Sequence, residues 1–554
     1  MRRVAAFGVL FCALTVDAVA AAPRSPVGSA AVASDHALAS GCGAEVLSRG
    51  GNAADAAVAT ALCAGVVQPA GSGLGGGGFA VVVDASGARH VLDFREVAPE
   101  GAAPGMFLDD EGQVVPNASR KGGAAVAVPT ESRGLARLHT SFGVLPARHV
   151  AAPAIRLARR GAPVGVHLAG ALERTSDSAV REAFEIEGEL AGWNQTIRRP
   201  ALARTLARWA RTKGEDLHEG KGALQVAHHV GEHGGVLTPG DLARASVVAR
   251  SPIVVPFHGY TIVTMPPPSS GGVALAQMLL ALDAHGLTTL KRGSVTYLHA
   301  LAETMKHAYA DRAHHLGDPD FVDVPVEELL GPKRVEEIVD AFDAERTFAP
   351  TAYGPLIAPP RDAGTQHISV RDEAGMAVAL TTTINTSFGS GLVEPSTGIV
   401  LNNQMDDFVA KPGVPNSFGL VGDEDNAIAP WKRPLSSMTP TIVLNEAGET
   451  VLVLGASGGS TIISSTLQVL LDVLVFGVAP TEAVAAPRIH HQWMPNRLWM
   501  EPGHSPDVVD ALTNLGHEVE VRRAYSAVQV LHYADGSVTA ASDPRKNGQP
   551  IVLP

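Results

Sequence analysis

A threonine preceded by a glycine, at Gly364 and Thr365, opens the stretch of the chain that is richest in chemically reactive side chains. A threonine hydroxyl is a poor nucleophile unless a base takes its proton. If Thr365 were the first residue of a new chain, its own α-amine, which titrates near pH ~8, would supply that base. Gly364 suits such a cut, because a residue without a side chain leaves its carbonyl open and tolerates a strained backbone.

Two predicted strands carry this chemistry. Residues 367–372 and 376–383 have strand patterns and are joined by a short turn at 373–375. They are followed by a dense run of Thr, Asn, Gln, Asp and Ser residues. A hairpin whose exit is lined with hydrogen-bonding side chains is typical of the wall of a site rather than of core packing.

A second stretch offers a rival nucleophile. Residues 455–459 fit the pattern G-x-S-x-G, with Ser457 between a predicted strand and a predicted helix, as in the nucleophile turn of serine hydrolases. His504, His517 or His532 could then serve as the base. Against this alternative, the motif falls late in the chain, the βαβ alternation of that fold is missing and Thr365 is left unexplained. Labelling of Ser457 by a fluorophosphonate, on an uncut polypeptide, would favour it.

The glycine run at residues 71–78 does not predict a phosphate-binding loop. No Lys-Ser or Lys-Thr pair follows it, and the next element is a predicted strand rather than a helix. We therefore expect close packing of backbone against the site. The adjacent histidine pairs at 228–229, 314–315 and 490–491 diverge and no HExxH pattern occurs, so neither a metal site nor a cofactor is predicted.

The composition excludes some classes of partner. The 554 residues carry a net charge of −13, which argues against nucleic acid or an anionic membrane surface as the main partner. Residues 1–20, with two arginines, an apolar run at 4–16 and small residues before the end, predict a secretory signal peptide. The apolar run is short for a bilayer span and no lipid-attachment pattern accompanies it, so no stable membrane anchor is expected.

Two cysteines, Cys42 and Cys63, remain after removal of such a signal peptide. Export would permit a disulfide between them. Both lie in predicted helices, where buried free thiols are the commoner state, and the pattern favours free thiols without deciding the matter.

The order of elements predicts an α+β protein. Helical patterns cluster in the first two thirds of the chain and strand patterns in the last third, with no repeat of solenoid length. Residues 344–364, which contain four prolines, predict an extended and flexible surface segment just before Thr365. If the chain is cut there, the released end needs such freedom.

Several motifs together resemble the gamma-glutamyltranspeptidases, a family of N-terminal-nucleophile hydrolases. They are residues 365–369 (TQHIS), 402–408 (NNQMDDF), 411–416 (KPGVPN), 434–438 (PLSSM), 457–460 (SGGS), 74–79 (LGGGGF) and 93–96 (DFRE). The matching segments run from about residue 51 to the C-terminus. The resemblance implies a four-layer αββα fold and self-cleavage between Gly364 and Thr365, giving a large subunit at 21–364 and a small subunit at 365–554 that pair as a heterodimer.

The resemblance also implies the role of each site residue. Thr365 is the nucleophile, Thr383 holds its amine, and the backbone N–H groups of Gly458 and Gly459 form the oxyanion hole. Recognition of a glutamyl group falls to six side chains: Arg95, Ser436 and Ser437 for the α-carboxylate, and Asn385, Gln404 and Asp407 for the α-ammonium. Glutathione and other γ-glutamyl compounds are the expected donors, with water or an amino acid or dipeptide as acceptor.

Three positions depart from the family pattern. Residues 411–433 resemble the lid loop of the lid-bearing bacterial members, but Phe418 stands where those members often have Tyr. Gln366 replaces a second threonine, and Ser457 replaces a common proline. Two alternatives stay open: an acylase of glutaryl-type side chains, which has no need of ammonium acceptors, and an unprocessed periplasmic binding protein.

Overall fold

The structure is a computed structural model that describes residues 27–354, 364–411, 414, 423–523 and 526–554. The predicted signal peptide at 1–20, residues 412–413 and 415–422 of the predicted lid, among them Phe418, and residues 355–363 of the proline-containing segment lie outside the described residues. None of the described helices combines the length and the apolar character that crossing a bilayer requires.

The α-helices of the described residues are distributed along the whole chain. In chain order they are α1 (Ala37–Ser48), α2 (Ala53–Val67), α3 (Glu131–Phe142), α4 (Ala147–Arg160), α5 (Val166–Arg174), α6 (Ser178–Ala183), α7 (Pro200–Thr212), α8 (Lys221–Glu232), α9 (Pro239–Arg244), α10 (Gly271–Ala284), α11 (Val295–His315), α12 (Val326–Leu329), α13 (Pro332–Asp340), α14 (Thr461–Leu474), α15 (Pro480–Ala485) and α16 (Pro506–Asn514).

The strands of the described residues are also numbered in chain order. They are β1 (Val27–Gly28), β2 (Ala30–Ser34), β3 (Gly77–Val83), β4 (Arg89–Phe94), β5 (Ala162–Pro163), β6 (Glu185–Ile186), β7 (Glu189–Leu190), β8 (Thr196–Ile197), β9 (Val248–Arg250), β10 (Ile253–Phe257), β11 (Tyr260–Thr264), β12 (Gln366–Arg371), β13 (Ala377–Thr383), β14 (Val393–Glu394), β15 (Ile399–Val400), β16 (Thr441–Leu444), β17 (Thr450–Ser457), β18 (Ile489–His490), β19 (Leu498–Met500), β20 (Val519–Val521), β21 (Ala527–Ala534), β22 (Ser537–Ser542) and β23 (Ile551–Leu553).

Two seven-stranded sheets form the centre of the molecule. One has the order β1-β22-β21-β17-β16-β11-β10 and the other the order β23-β2-β12-β13-β3-β4-β9. The sheets face each other through β12, β13 and β2 on one side and β17, β21 and β22 on the other. Helices α1 to α3 cover the outer face of the second sheet, while α10, α14 and α15 cover the first. The architecture is therefore α+β in four layers, helix, sheet, sheet, helix.

The second sheet is buried on both faces, and the alternating side chains of β3 show what covers each face. In β3, Phe79 and Val81 pack into the apolar cluster between the sheets, whereas Ala80 and Val82 pack into the apolar cluster on the helical side, where α3 contacts this strand. Successive side chains of a strand point to opposite faces, so a strand covered on both sides reads as a continuous apolar run. The polar residue His367 is an exception and faces β17 between the sheets.

Each of the two sheets contains strands from the part of the chain before the Gly364–Thr365 bond and strands from the part after it. In the second sheet, β12 pairs with β2 and β13 pairs with β3, all antiparallel. In the first sheet, β16 pairs with β11. A cut after Gly364 would leave two chains whose strands alternate in the same sheets, held by main-chain hydrogen bonds and a common core.

Strands β2 and β23 have weak apolar alternation and pair with strands distant in the sequence, whereas β22 forms a local hairpin with β21. The expectation for the two cysteines requires correction. Cys42 and Cys63 form a disulfide between α1 and α2, not the free thiols that the pattern favoured. Whether two cysteines on different helices lie close together depends on how the helices pack, and helical periodicity does not show this.

The segment before the predicted cut is anchored in its first part. Tyr353 is buried and its hydroxyl donates to Glu303, and Thr347 Oγ1 donates to the same carboxylate at 2.5 Å. The indole of Trp493 donates to the carbonyl of Pro350 at 2.9 Å. Thr347 and Tyr353 are thus anchored within the segment 344–364, through contacts that composition alone does not reveal, whereas residues 349, 351 and 352 are exposed as a surface segment would be.

Candidate active site

The register of one hairpin brings Thr365 and Thr383 together. In the antiparallel pair of β12 and β13, Gln366 lies opposite Thr382 and His367 opposite Thr381. The residue before β12 therefore lies beside the last residue of β13, and the hydroxyl oxygens of Thr365 and Thr383 are 3.4 Å apart. A tight turn at 372–376 fixes this register locally, so the sequence pattern of the hairpin was sufficient to predict the pairing.

Both threonine hydroxyls converge on the carbonyl oxygen of Gly364. Thr365 Oγ1 lies 2.7 Å from that oxygen, and Thr383 Oγ1 donates to it at 2.8 Å. The hydroxyl of Thr383 also accepts from the backbone N–H of Asn385 at 2.9 Å, so its single proton is directed at Gly364. The N–H of Gly364 donates to the carbonyl of Asn385 at 2.7 Å. Gly364 is therefore held by hydrogen bonds at both its carbonyl oxygen and its N–H group.

The glycine run at residues 71–78 packs so closely against neighbouring backbone that side chains would not fit there. A Cβ at Gly76 would lie 2.0 Å from the carbonyl oxygen of Thr383, and one at Gly75 would lie 2.1 Å from that of Val400. A Cβ at Gly78 would lie 2.2 Å from the carbonyl oxygen of Thr381. Side chains at Gly76 and Gly78 would displace the end of β13, and one at Gly75 would displace β15, so the predicted role in close backbone packing is confirmed.

One cleft collects nine of the ten predicted site residues. Its lining consists of Arg95, Thr365, Thr383, Asn385, Gln404, Asp407, Leu435, Ser436, Ser437, Met438, Gly459 and Ile462. Gly458 is the predicted residue that does not line it. These residues come from six separate parts of the chain: the residue before β12, the ends of β4 and β13, the helical turn Gln404–Asp407 and the segments around 436 and 459.

An ion pair lies in the lining of this cleft. Arg95 Nη2 donates to Asp407 Oδ2 at 2.5 Å, and Arg95 Nε donates to the carbonyl of Pro434 at 3.1 Å. Gln404 Nε2 donates to the same carboxylate oxygen at 3.0 Å. Burial raises the pKa of Asp407, and the neighbouring Arg95 opposes this effect. The two residues predicted to bind opposite ends of a zwitterion thus bind each other in this structure.

Three other lining residues present buried polar atoms without a protein partner in the described part of the chain. They are Asn385 Oδ1, Gln404 Oε1 and Ser437 Oγ. Buried polar atoms normally find a hydrogen-bond partner, and leaving one unpaired costs about 1–3 kcal/mol. Two carbonyl oxygens suit an ammonium and a hydroxyl suits a carboxylate. A ligand that carries both groups would therefore give a partner to all three atoms.

A strained turn follows β17 at the edge of the cleft. Gly458 and Gly459 have φ angles of 138° and 60°, which only glycine adopts readily. A Cβ at Gly458 would lie 2.6 Å from Cα of Ser526. Tyr309 donates its hydroxyl to the carbonyl of Ser460, and Thr461 Oγ1 donates to that of Gly458 at 2.7 Å. These contacts hold the turn at the N-terminus of α14, where backbone N–H groups favour negative charge.

The rival nucleophile Ser457 is buried and does not line the cleft. Its hydroxyl donates to Asp35 Oδ2 at 2.6 Å and accepts from Lys546 Nζ at 2.6 Å. None of the three histidines considered as its base makes a described hydrogen bond to it. A serine so placed cannot meet a substrate in this conformation.

Two buried carboxyl groups, Glu96 beside Arg95 and Glu131 near Glu96, were missed from the sequence. Glu96 is completely buried, 3.6 Å from Arg95 Nη1, and burial raises its pKa to about 8 against the influence of Arg95. Burial likewise raises the pKa of Glu131, which is close enough for the charge of Glu96 to add to the effect. Glu96 lies inside the motif that includes Arg95, and that motif was the available signal. Glu131 carried none, because its position depends on tertiary packing.

One cluster could be mistaken for a metal site. Among the described residues, His299, Glu303 and His517 place their ligand atoms within 4.8 Å of one another. Lys306 Nζ, however, donates to Glu303 Oε1 at 2.9 Å, and the two imidazoles are hydrogen-bonded to each other at 2.7 Å. Burial lowers the pKa of His517 to about 3. An ammonium already neutralises the carboxylate, so the donor set fits an internal polar network better than a cation.

The chain resembles known proteins over nearly its whole length. A family model described as gamma-glutamyltranspeptidase matches residues 39–553. The chain is 39% identical to a glutathione hydrolase proenzyme of Escherichia coli (strain K12), with 98% of this chain and 97% of that protein covered. It is 37% identical to the glutathione hydrolase proenzyme of Bacillus subtilis (strain 168), with 94% and 91% covered.

Two solved structures extend the comparison. A cephalosporin acylase from Bacillus halodurans superposes with a TM-score of 0.85 at 27% identity, covering 98% of this chain and all of that chain (100%). The gamma-glutamyltranspeptidase of Helicobacter pylori superposes with a TM-score of 0.55 at 36% identity, covering 58% of this chain and 93% of that chain. The same architecture thus accompanies two related acyl-transfer activities.

Proposed function

The chain belongs to the gamma-glutamyltranspeptidase family, and from this membership we propose that Thr365 is the nucleophile of a γ-glutamyl transfer reaction. The protein is a gamma-glutamyltransferase and glutathione hydrolase that is made as a self-processed precursor with two subunits. The observation that carries the assignment of Thr365 is the convergence of its hydroxyl and that of Thr383 on the carbonyl of Gly364, at 2.7 and 2.8 Å.

Self-cleavage begins with attack of Thr365 Oγ1 on the carbonyl carbon of Gly364. The acyl group moves from nitrogen to oxygen and forms an ester, which water then hydrolyses. The products are a carboxylate on Gly364 and a free α-amine on Thr365. Support comes from Thr383, whose hydroxyl donates to the oxygen on which negative charge develops. The proposed subunits are residues 21–364 and 365–554, after removal of residues 1–20 and export to the periplasm or the exterior.

In the mature enzyme the free α-amine of Thr365 acts as general base. It takes the proton of Oγ1 as this oxygen attacks the γ-amide carbonyl of the donor, and it returns the proton to the leaving amine. A γ-glutamyl ester on Thr365 results. Water or the amino group of an amino acid or dipeptide then releases the glutamyl group. The N–H groups of Gly458 and Gly459 are the proposed donors to the oxyanion, in keeping with their turn at the start of α14.

Recognition of the glutamyl end uses both charges of the substrate. Its α-carboxylate takes the place of Asp407 beside Arg95 and receives the hydroxyls of Ser436 and Ser437. Its α-ammonium then pairs with Asp407 and with the carbonyl oxygens of Asn385 and Gln404. This exchange is supported by the three unpartnered polar atoms in the cleft and by the ion pair that the substrate would replace. Glutathione is the expected donor because it offers a γ-glutamyl amide with a free α-amino acid end.

A glutaryl acylase is the second candidate, favoured by the superposition with the cephalosporin acylase. A glutaryl group lacks the α-ammonium, so it would leave Asn385 Oδ1 and Gln404 Oε1 unpaired. Hydrolysis of γ-glutamyl-p-nitroanilide and glutaryl-p-nitroanilide by the same preparation compares the two. A kcat/KM for the glutamyl compound at least tenfold above that of the glutaryl compound is expected, and the reverse order would favour the acylase.

The nucleophile is tested by intact-mass analysis of the wild type beside Thr365→Ala and Thr365→Ser. Two fragments that meet at Gly364 and Thr365 are expected for the wild type and, more slowly, for Thr365→Ser. Thr365→Ala should remain a single inactive chain. Normal turnover by an uncut Thr365→Ala chain would contradict the proposal and return attention to Ser457.

A further inference from the structure

A charged cluster lies directly against the backbone of Thr365. Lys546 Nζ donates to the carbonyl oxygen of Thr365 at 2.9 Å, to Ser457 Oγ at 2.6 Å and to Asp35 Oδ2 at 2.8 Å. These three contacts use all three protons of the ammonium. The cluster therefore joins the predicted nucleophile to the residue that precedes the turn at Gly458.

Asp35 is the fixed member of this cluster. Its side chain is completely buried in the short connection between β2 and α1. Besides Lys546 it accepts from Ser457 Oγ at 2.6 Å and from Gln529 Nε2 at 2.7 Å. A buried carboxylate is stable only when paired and hydrogen-bonded, and these three donors meet that need. Asp35 belongs to the chain before Thr365 and its three partners to the chain after it.

The contact between Lys546 and Thr365 persists after the proposed cleavage. The carbonyl oxygen that accepts from Lys546 belongs to the peptide bond between Thr365 and Gln366, which the cut at Gly364 leaves intact. Only Cα and the carbonyl carbon separate this oxygen from the nitrogen that becomes the α-amine. The ammonium of Lys546 consequently lies beside the amine, and a nearby like charge disfavours protonation of an amine.

We infer that Lys546 is a positioning residue that holds Thr365 in place and keeps its α-amine in the neutral, proton-accepting form, while Asp35 limits the strength of this effect. The inference rests on the proposed function, in which that amine is the general base. Lys546 contacts neither the reacting hydroxyl nor the predicted oxyanion hole, and it acts through the charge that it brings to the nucleophile. Ser457, which accepts from Lys546 and directly precedes Gly458, connects Lys546 to the turn at Gly458.

Other ionisable groups surround this part of the fold. They are Arg95, Glu96, Asp407, His36, His167 and His367. Arg95 and Asp407 neutralise each other across the cleft, and Glu96 lies next to Arg95. Burial lowers the pKa of His36 to about 4 and that of His367 to about 3, and it also lowers the pKa of His167. Of these groups, His167 is influenced by both charges, since Lys546 lowers its pKa and Asp35 raises it, so the profiles below are compared in a His167→Asn background.

The test is the acid limb of the pH profile of kcat/KM, measured on processed enzyme with γ-glutamyl-p-nitroanilide. This limb reports the pKa of the base in the free enzyme. Lys546→Met removes the cation and leaves Asp35 uncompensated, so the limb should move up by about one pH unit. Asp35→Asn leaves the cation uncompensated, so the limb should move down by a similar amount. Loss of a merely structural contact predicts no such opposition in sign.

Matched variants complete the design. Lys546→Arg keeps the charge and should keep the limb within a few tenths of a pH unit of the wild type. The double variant Lys546→Met with Asp35→Asn removes both charges and should bring the limb back toward the wild-type position. Lys333→Met and Asp510→Asn make the same chemical changes at exposed positions and should leave the profile unchanged.

Each outcome decides between the inference and its premise. Limbs that move in the same direction, or that do not move, overturn the inference. If Lys546→Met remains uncut, Asp35→Asn decides alone, and an unchanged or raised limb in that variant overturns the inference. Failure of the premise looks different, because Thr365→Ala would then be cut or active whatever the profiles of the other variants.

Discussion

Arg95 and Asp407 are 312 residues apart in the chain and form an ion pair of 2.5 Å in the lining of the cleft. Each is nine-tenths or more buried, and each is assigned to the opposite charge of a glutamyl zwitterion. The pair gives both charges a partner before substrate arrives, which lowers the cost of keeping them in a buried site. A zwitterion can replace it without changing the net charge of the cleft, and a substrate with one charge cannot.

Asp407→Asn should therefore change the preference among donors more than it changes the fold. Loss of a buried charged partner for the ammonium costs roughly 1.5–3 kcal/mol. The ratio of kcat/KM for γ-glutamyl-p-nitroanilide over glutaryl-p-nitroanilide should fall by about tenfold or more. Asp406→Asn is the matched control, since Asp406 accepts from Ser119 and does not line the cleft. An unchanged ratio in Asp407→Asn would remove Asp407 from ammonium recognition.

Thr383→Val should slow self-cleavage by about 10²–10³, because it removes the hydroxyl that donates to the carbonyl oxygen of Gly364. The change keeps the volume of the side chain and its place in β13. The rate is read from the conversion of precursor to two chains by denaturing gel electrophoresis over time. Thr382→Val, one residue earlier on the same strand, removes a hydroxyl that pairs with Ser72 instead. Equal rates in the two variants would argue against a role of Thr383 in the cut.

Glu96 should make the stability of the protein depend on pH. Burial raises the pKa of Glu96 from 4.5 to about 8, so between these values the unfolded chain releases a proton that the folded chain keeps. The contribution of this group to the free energy of unfolding is complete below about pH 4.5 and is lost as the pH rises through about 8. The melting temperature of the wild type should accordingly fall relative to that of Glu96→Gln over this range.

The control for this measurement is Glu100→Gln, at an exposed carboxyl four residues away. Its melting temperature should follow that of the wild type at every pH. Parallel curves for Glu96→Gln and the wild type would mean that Glu96 is ionised in the folded protein at neutral pH.

The disulfide between Cys42 and Cys63 closes a loop of moderate length and ties α1 to α2. Bonds of this kind typically contribute about 2–4 kcal/mol to the free energy of unfolding. The double variant Cys42→Ser with Cys63→Ser should melt several degrees below the wild type under oxidising conditions. Dithiothreitol should lower the melting temperature of the wild type toward that of the variant and leave the variant unchanged. A wild type insensitive to reductant, with two titratable thiols after unfolding, would rule out the bond.

The sequence by itself determined the reactive hairpin and the motifs around it. Thr365 and Thr383 belong to strands joined by a tight turn, and alternation plus turn residues fix such a register without help from the rest of the chain. The family motifs likewise identified the residues that line the cleft.

Tertiary structure alone decided how distant charges are compensated. Asp35 and Lys546 carry no local pattern, and their contact with Ser457 depends on β2, β17 and the C-terminal segment meeting beside Thr365. The disulfide, the burial of Glu131 and the anchoring of Tyr353 depend in the same way on packing between elements far apart in the chain. Periodicity reports which face of an element is buried, whereas the partner on the other side of that face is set by how the four layers assemble.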